Sequence, residues 1–360
     1  MDEAGNHSAV LGCGSPEAPT LLLGSHLDSV PDGGRFDGAL GVAAALEVLC
    51  CLKDAGVHLP VNVEAIDFTD EEGTLLGVLG SAALAGSLTA HDLTKTHGGQ
   101  EHLRTILDRV GLSVEGILHA RRPPESLAGY LELHIEQGAR LHNSGVQIGV
   151  VSGIAGICTF QMTFRGRADH SGTTEMSARR DAALGAAAYI LAVRQTVVAE
   201  FPGCVANVVW LRTLRGALNI VSHSAELGLE FRAADPQDFQ KMEKSLIELA
   251  EMESAHYDLA VEATRLSRHQ PTFTSPAVQD CIRRAAQGSG FSTQALPSGA
   301  WHDAQMLAPI CPTGMIFIPS QIGSHSPREF AEWQDCLNGA NVLLQAALTL
   351  VGQPSELIHH

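Results

Sequence analysis

The stretch from Thr20 to Phe68 constrains this chain more than any other. Residues 20–24 (TLLLG) are a short apolar run that ends in the polar turn Ser25-His26-Leu27-Asp28. Gly33, Gly34, Gly38 and Gly41 make the next stretch a loop. Ala39 to Lys53 (ALGVAAALEVLCCLK) is apolar nearly all round, the composition of a buried helix. Residues 61–68 (VNVEAIDF) read as a second strand, closed by Thr69-Asp70-Glu71-Glu72-Gly73. Strand, helix, strand in this order points to a parallel sheet. The polar clusters fall at the strand C-terminal ends, where open α/β sheets hold their sites. Residues 129–136 (GYLELHIE) give a further strand, carrying His134 and Glu136.

The pattern changes after about Gly153. Cys158, Phe160, Met162 and Phe164 alternate with Thr159, Gln161 and Thr163, and Leu227, Leu229 and Phe231 alternate in the same way. Alternation means one wet face, as in an antiparallel sheet. Helices are expected at about Ala178–Glu200 and Pro236–His256. The expected organisation is a small α+β domain at 152–268, inserted into a larger α/β domain made of 1–151 and 269–360.

A chain of 360 residues is long enough for two such domains. Its net charge of −17 argues against binding to nucleic acid or to an anionic membrane, both of which need basic patches. No apolar run reaches the roughly 18 residues of a membrane span. The first residues lack the basic-then-apolar layout of a signal peptide. Eight cysteines without a CxxC pair read as reduced, mostly buried thiols of a cytoplasmic protein, Cys50, Cys51 and Cys158 among them. His359-His360 at the end form no metal site. Histidines number 17, which is high, and their placement beside carboxylates carries the chemistry.

Five segments stand out: His26-Leu27-Asp28, Asp37-Gly38, Glu71-Glu72-Gly73, His134-Ile135-Glu136-Gln137-Gly138 and Ser324-His325-Ser326. Taken singly, a His-x-Asp is usually a surface turn and a Glu-Glu pair a solvated face. Taken together at strand ends, histidine and carboxylate donors without cysteine suit Zn²⁺, Mn²⁺ or Co²⁺ in a hydrolytic site. Two ions sharing one bridging carboxylate need about five protein ligands and leave positions for water. Adjacent Glu71 and Glu72 diverge on a turn, so one can bind metal while the other takes a proton from that water.

The strings GSHLDSVPDGGRFDGALGV, FTDEEG, ELHIEQG, ADHSGTTEMSARRDA and SGAWHDAQ…IFIPS…SHSP occur in this order. Together they closely resemble the hydantoinase/carbamoylase family of zinc-dependent amidohydrolases, within the wider clan of di-zinc aminoacylases and exopeptidases. The resemblance implies a di-zinc exopeptidase-like catalytic domain with a mixed, mainly parallel sheet, and an inserted α+β dimerisation (lid) domain. It implies that His26 and His134 bind the first ion, Glu72 and His325 the second, and that Asp37 bridges both. The ions would be zinc, with manganese or cobalt also suiting the donors. Glu71 would be the general base, and Asp28 would orient the His26 imidazole. His170 is the expected oxyanion donor, contributed across a homodimer. Gln137, Asn219, Arg232 and the Ser298-Gly299 turn match substrate-contacting positions. Arg232 follows the inward Phe231, so it points away from the core and could grip a substrate carboxylate.

The implied reaction is hydrolysis of the carbamoyl C–N bond of an N-carbamoyl-L-amino acid. Allantoate or ureidoglycolate hydrolysis by the same machinery is the first alternative, and a di-zinc deacylase or aminopeptidase is the second. ELHIEQG favours the carbamoylase branch. A dimeric binding protein with a vestigial metal site is the non-enzymatic reading, and the intact set of ligands and base weighs against it. Members commonly carry some tens of residues before an equivalent of Asp2-Glu3-Ala4-Gly5-Asn6, so the sequence reads as a fragment or a late-started frame.

Overall fold

Leu21, Leu22 and Leu23 are all fully buried, which requires both faces of their strand to be covered. The computed structural model describes residues 1–15, 17–214, 217–321 and 323–352; His359-His360 lie outside the described residues. In chain order its strands are β1 (His7–Leu11), β2 (Thr20–His26), β3 (Asn62–Phe68), β4 (Leu127–Ile135), β5 (Ile148–Ile154), β6 (Gly156–Arg165), β7 (Val205–Thr213), β8 (Ser224–Ala233), β9 (Ala260–His269), β10 (Thr272–Phe273), β11 (Thr293–Ser298) and β12 (Thr313–Ile318).

The chain divides into two compact units, Met1–Ile154 with Phe273–His360, and Ala155–Thr272. Reading from sequence put the junctions at 151/152 and 268/269. In the structure β5 runs on to Ile154 and β9 to His269.

The first unit is built on a sheet of order β1-β3-β2-β4-β12-β5-β10, with β11 added beside β5. β3, β2, β4 and β12 are mutually parallel, β1 joins antiparallel to β3, and β5 is antiparallel to β12, so the sheet is mixed and mainly parallel. Leu21 and Leu23 pack on one side with Val48, Leu52 and Val342 from the helices Ala39–Asp54 and Trp333–Val351. Leu22 packs on the other side with Ile66, Phe68 and Tyr130.

Helix Ala39–Asp54 buries a stripe of Val42, Ala45, Val48, Leu49 and Leu52. It is not buried all round: Leu46 is 44% exposed, and Cys50 and Cys51 are exposed. A helix lying on one face of a sheet covers only its near stripe. All eight cysteines are free thiols; Cys158, Cys281, Cys311 and Cys336 are buried, so half of them are, rather than most.

The second unit is an antiparallel sheet of order β7-β8-β6-β9. Phe160, Met162, Phe164, Leu227, Leu229 and Phe231 form its inner face, against the helices Ala182–Glu200 and Pro236–His256. Each helix opens on an aspartate cap: Asp181 accepts from the Ala183 N–H, and Asp235 from the Gln237 and Asp238 N–H groups. The Asp181 cap starts the first of these at Ala182 rather than Ala178. Among the described residues, Ala182–Glu200 is long and apolar enough to cross a membrane by length and composition, although no such run was expected. Gly185, Ala186, Tyr189, Val193 and Val197 on this helix are instead packed into the unit's own core.

Candidate metal centre

His26 is the last residue of β2, and His134 lies one residue before the end of β4, its neighbour in the sheet. Parallel strands bring their C-terminal ends to one edge, so two histidines more than 100 positions apart meet there. Their ring centroids are 6.0 Å apart. Asp37 lies in the loop after β2, just before Gly38 starts the helix with φ of 65°. A Cβ at Gly38 would sit 2.4 Å from the His26 ring, so both the backbone angle and the close approach require glycine.

Both imidazoles turn Nδ1 toward a backbone carbonyl: His26 toward Asp28 O at 3.0 Å and His134 toward Ile135 O at 2.9 Å. A carbonyl only accepts, so each Nδ1 carries the proton and each Nε2 is left as a lone pair facing the cluster. His134 Nε2 is 3.1 Å from Asp37 Oδ1. His325 Nε2 is 3.3 Å from Asp37 Oδ2 and 3.6 Å from Glu72 Oε2. His325 takes φ of 57° to make this approach.

The donors fall into two groups, His26, Asp37 and His134, and Asp37, Glu72 and His325, with the ligand atoms of each group within 4.8 Å of one another. Asp37 belongs to both. This is the arrangement two divalent cations need if one carboxylate bridges them. Glu72 Oε1 is buried with no hydrogen-bond partner, an atom that a cation would satisfy. The residues therefore fit a pair of divalent ions. Burial would raise the Asp37 carboxyl, yet its hydrogen bonds with His134 and His325 hold it well below the ordinary carboxylate range. Burial lowers His134, but hydrogen bonding and charge from Asp37 push it up to about 9.

Glu71 points at the same space, its Oε2 3.5 Å from His26 Nε2. Burial pushes its carboxyl well above the usual range, and the charges of Asp303, Glu72 and Glu132 add to this. A carboxylate so raised is suited to take up a proton. The turn that splays Glu71 and Glu72 is held by Asp28, whose carboxylate accepts both backbone N–H groups, at 3.2 and 3.0 Å. Asp28 thus meets the His26 ring chiefly through its carbonyl; its carboxylate oxygen is 3.6 Å from Nδ1. Asp70, at φ of 57°, closes the loop by accepting from Leu75, Leu76 and Gly77.

The remaining expected residues of this unit are placed differently from one another. Gln137 donates from Nε2 to Asp37 Oδ2 at 2.8 Å, so its amide lies on the ligand cluster. Ser298 is 2% exposed and its hydroxyl is engaged within its own turn, by the Ala300 N–H at 3.1 Å and His302 Nε2 at 2.8 Å. Its hydroxyl thus serves the turn itself, while Gly299 beside it is exposed.

Three buried residues at the site were not singled out from the sequence. Glu132 accepts from Ser25 Oγ at 2.9 Å, Tyr130 OH at 3.1 Å and the Ala304 N–H at 3.1 Å. Glu132, His134 and His302 also have ligand atoms within 4.8 Å of one another, but these hydrogen bonds make Glu132 a bracket between β2, β4 and the helix Asp303–Leu307 rather than a third ligand set. Asp303 is fully buried near Glu71 and Glu132. A charged residue inside a strand buried along nearly all its length, as Glu132 is in β4, is the signal that could have found it.

In the second unit, His170 and Asn219 sit on adjoining loops. His170 bridges to Ile220, and the Ser171 N–H donates to the Asn219 carbonyl at 3.0 Å. The Gly172 N–H donates to His170 Nδ1 at 3.1 Å, which leaves Nε2 as the protonated, donating nitrogen. Arg232 lies near the other end of the sheet, opposite Ile157, with Nε on Glu230 at 2.9 Å. From Ser224, beside the His170 end, to Arg232 is eight residues of β8, about 26 Å at roughly 3.3 Å per residue. Within one unit these three residues do not converge.

Comparison with known proteins agrees in family. Residues 22–349 match the model of peptidase family M20/M25/M40. The chain is 38% identical over 345 residues to an N-carbamoyl-L-amino acid amidohydrolase of Geobacillus stearothermophilus, covering 95% of this chain and 84% of that protein. It is 33% identical to a ureidoglycolate hydrolase of Oryza sativa subsp. japonica, covering 92% and 70%. Among solved structures, a hydantoinase/carbamoylase family amidase from Burkholderia multivorans superposes with a TM-score of 0.84 at 31% identity, covering 99% and 86%.

Proposed function

The chain belongs to peptidase family M20/M25/M40, among its hydantoinase/carbamoylase amidases, and from this and the double ligand cluster we propose that it hydrolyses the carbamoyl C–N bond of N-carbamoyl-L-amino acids. The observation that carries the chemistry is the sharing of Asp37 between two ligand groups with Glu71 alongside.

His26, Asp37 and His134 would hold one divalent ion, and Asp37, Glu72 and His325 the other, with zinc the ion of choice. Such ions polarise a carbonyl and make water acidic enough to attack at neutral pH. Glu71 accepts the proton of the attacking water and returns it to the departing nitrogen, so the carboxyl ends as it began. Asp28 keeps Glu71 and Glu72 splayed to separate tasks. Gln137 holds Asp37 by its amide. His170 Nε2–H donates to the oxyanion that builds up on the carbamoyl oxygen. Arg232, with Asn219 as a neutral donor, binds the substrate carboxylate.

The separation of about 26 Å within one unit between the His170 end of the sheet and Arg232 supports a homodimer in which His170 and Asn219 serve the partner's substrate. β7 is one of the two edge strands of this unit's sheet, and Val205, Val209 and Leu211 on it are 57%, 61% and 47% exposed. An apolar edge of this kind is suited to cover by a second copy. Eight free thiols support a cytoplasmic location.

Ureidoglycolate is the second reading, supported by the 33% identical plant hydrolase. Ammonia release from metal-replete protein separates the two. N-carbamoyl amino acids should release ammonia faster than ureidoglycolate and allantoate, while N-acetyl amino acids and dipeptides, followed by the amino acid they set free, should be poor substrates. Preference for ureidoglycolate or allantoate would select the second reading, and release from none would remove both.

A further inference from the structure

The carbonyls of Ser171 and Thr174 in the loop 170–174 are both tied down by one side chain. Arg179 donates from Nε to the Thr174 carbonyl at 3.1 Å, and from Nη2 to the carbonyls of Ser171 and, at 3.1 Å, of Thr174. A planar guanidinium presents a fixed fork that serves two carbonyls at once; a lysine ammonium is a point charge on a flexible stem and does not reproduce that fork. The rest of the loop folds back on His170 itself. The Thr173 and Thr174 N–H groups donate to the His170 carbonyl, at 3.3 and 3.1 Å. The Gly172 N–H, between the two residues that Arg179 ties down, is thereby aimed at His170 Nδ1 at 3.1 Å.

Imidazole is a donor at one nitrogen only when neutral, and which one is fixed by what the other nitrogen meets. A backbone N–H pointing at Nδ1 forces the Nε2–H form. We infer that Arg179 is a positioning residue: by fixing the carbonyls of Ser171 and Thr174 it holds the Gly172 N–H on His170, and so sets the tautomer and aim of the Nε2–H donor. This rests on the proposed role of His170 at the oxyanion. Neighbouring arginines have other tasks. Arg167 pairs with Asp169 at 2.8 Å, and Arg180 pairs with Asp258.

The test compares Arg179→Ala, Arg179→Lys, His170→Gln and the double variant Arg179→Ala/His170→Gln in the full chain. N-carbamoyl-L-alanine is the substrate, and ring-¹⁵N histidine spectra are recorded, with His170 assigned by its loss in His170→Gln. A single oxyanion donor is worth about 10²–10³ in kcat, and misaiming it should lose roughly tenfold or more. Arg179→Ala should therefore lower kcat by at least about tenfold with KM little changed. It should shift the His170 nitrogens away from the Nε2–H pattern, and it should cost nothing further once His170 is Gln. Arg179→Lys should not restore activity, whereas non-denaturing guanidinium should restore part of it to Arg179→Ala. An unchanged His170 spectrum in Arg179→Ala, or an equal loss in the His170→Gln background, overturns the inference. If Arg179→Ala does not fold, the His170 spectrum of Arg179→Lys decides in the same way. If His170→Gln keeps full activity, the oxyanion reading of His170 fails by itself, and the Arg179→Ala spectrum still decides whether Arg179 sets the tautomer.

Discussion

Glu329 accepts the backbone N–H of Asp37 on Oε1 at 3.1 Å, joining two loops 292 positions apart. The same oxygen takes the Phe36 N–H at 2.9 Å. The residue shared by both ligand groups is thus fixed by a carboxylate that is itself outside both groups. Glu329→Ala leaves the two N–H groups without this acceptor, and hydrogen bonds to charged groups are worth about 1.5–3 kcal/mol. Metal affinity should fall about 10–100-fold, the usual cost of losing a partner that orients a ligand. Titration calorimetry with zinc on apo-protein reads this directly, and unchanged affinity would show that Asp37 holds its place without Glu329.

The sharing of Asp37 makes a prediction of stoichiometry. Asp37→Asn removes a charge common to both groups and should leave the protein unable to hold either ion tightly. His325→Ala touches one group only and should reduce content from two ions to one. Metal analysis after gel filtration distinguishes these outcomes. A variant at Asp37 that still carries two ions would contradict the bridging role.

Stability should depend on the ions as well. Glu71, Glu72, Glu132 and Asp303 all lie at the site with carboxyls raised first by burial. Cations there offset that cost, and a ligand at about 100 times its Kd adds about 2.7 kcal/mol. Chelation should lower the melting temperature, and zinc should restore it. Equal melting curves with and without chelator would count against a cation site among these carboxylates.

Glu71→Gln separates base from ligand. The amide keeps the shape and cannot take a proton, so ion content should stay at the wild-type value while turnover falls by about 10²–10⁴-fold. If ion content falls and turnover survives in a Glu72→Gln control instead, the two carboxylates have exchanged tasks.

The ligand set was legible in the sequence because polar turns interrupt apolar runs at strand ends: Ser25-His26 closes TLLLG, and Asp70-Glu71-Glu72 closes VNVEAIDF. Parallel strands then gather those ends at one edge. Less legible are the residues that support the ligands from within. Glu132 shares the face of His134 two positions on, in a strand otherwise apolar on both faces, and Glu329 sits in a loop with no periodicity at all. β12 (Thr313–Ile318) is buried throughout, and β7 alternates only over its first five residues before becoming exposed, so neither carries a full run of the alternation that marks a half-buried strand. The engagement of the Ser298 hydroxyl by His302 depends on how its turn closes, which residue types alone do not specify.

Substrate charge decides between a ureido-acid hydrolase and a general amidase. A net charge of −17 repels an anionic substrate, though salt damps this over about 8 Å. Carboxylate binding therefore needs a local cation, and Arg232 is the candidate. In the structure its Nε pairs with Glu230, two residues earlier on β8, at 2.9 Å. Charge-assisted hydrogen bonds of about 1.5–3 kcal/mol correspond to roughly tenfold to more than a hundredfold in affinity, so Arg232→Ala should raise KM for N-carbamoyl amino acids by that order. Arg232→Lys should recover little, because an ammonium does not reproduce the two-pronged contact. An N-carbamoyl amino amide, which lacks the carboxylate, should be a poor substrate and nearly indifferent to either change. Equal hydrolysis of acid and amide by the wild-type protein would remove Arg232 as the carboxylate clamp, and with it the preference for ureido acids over neutral amides.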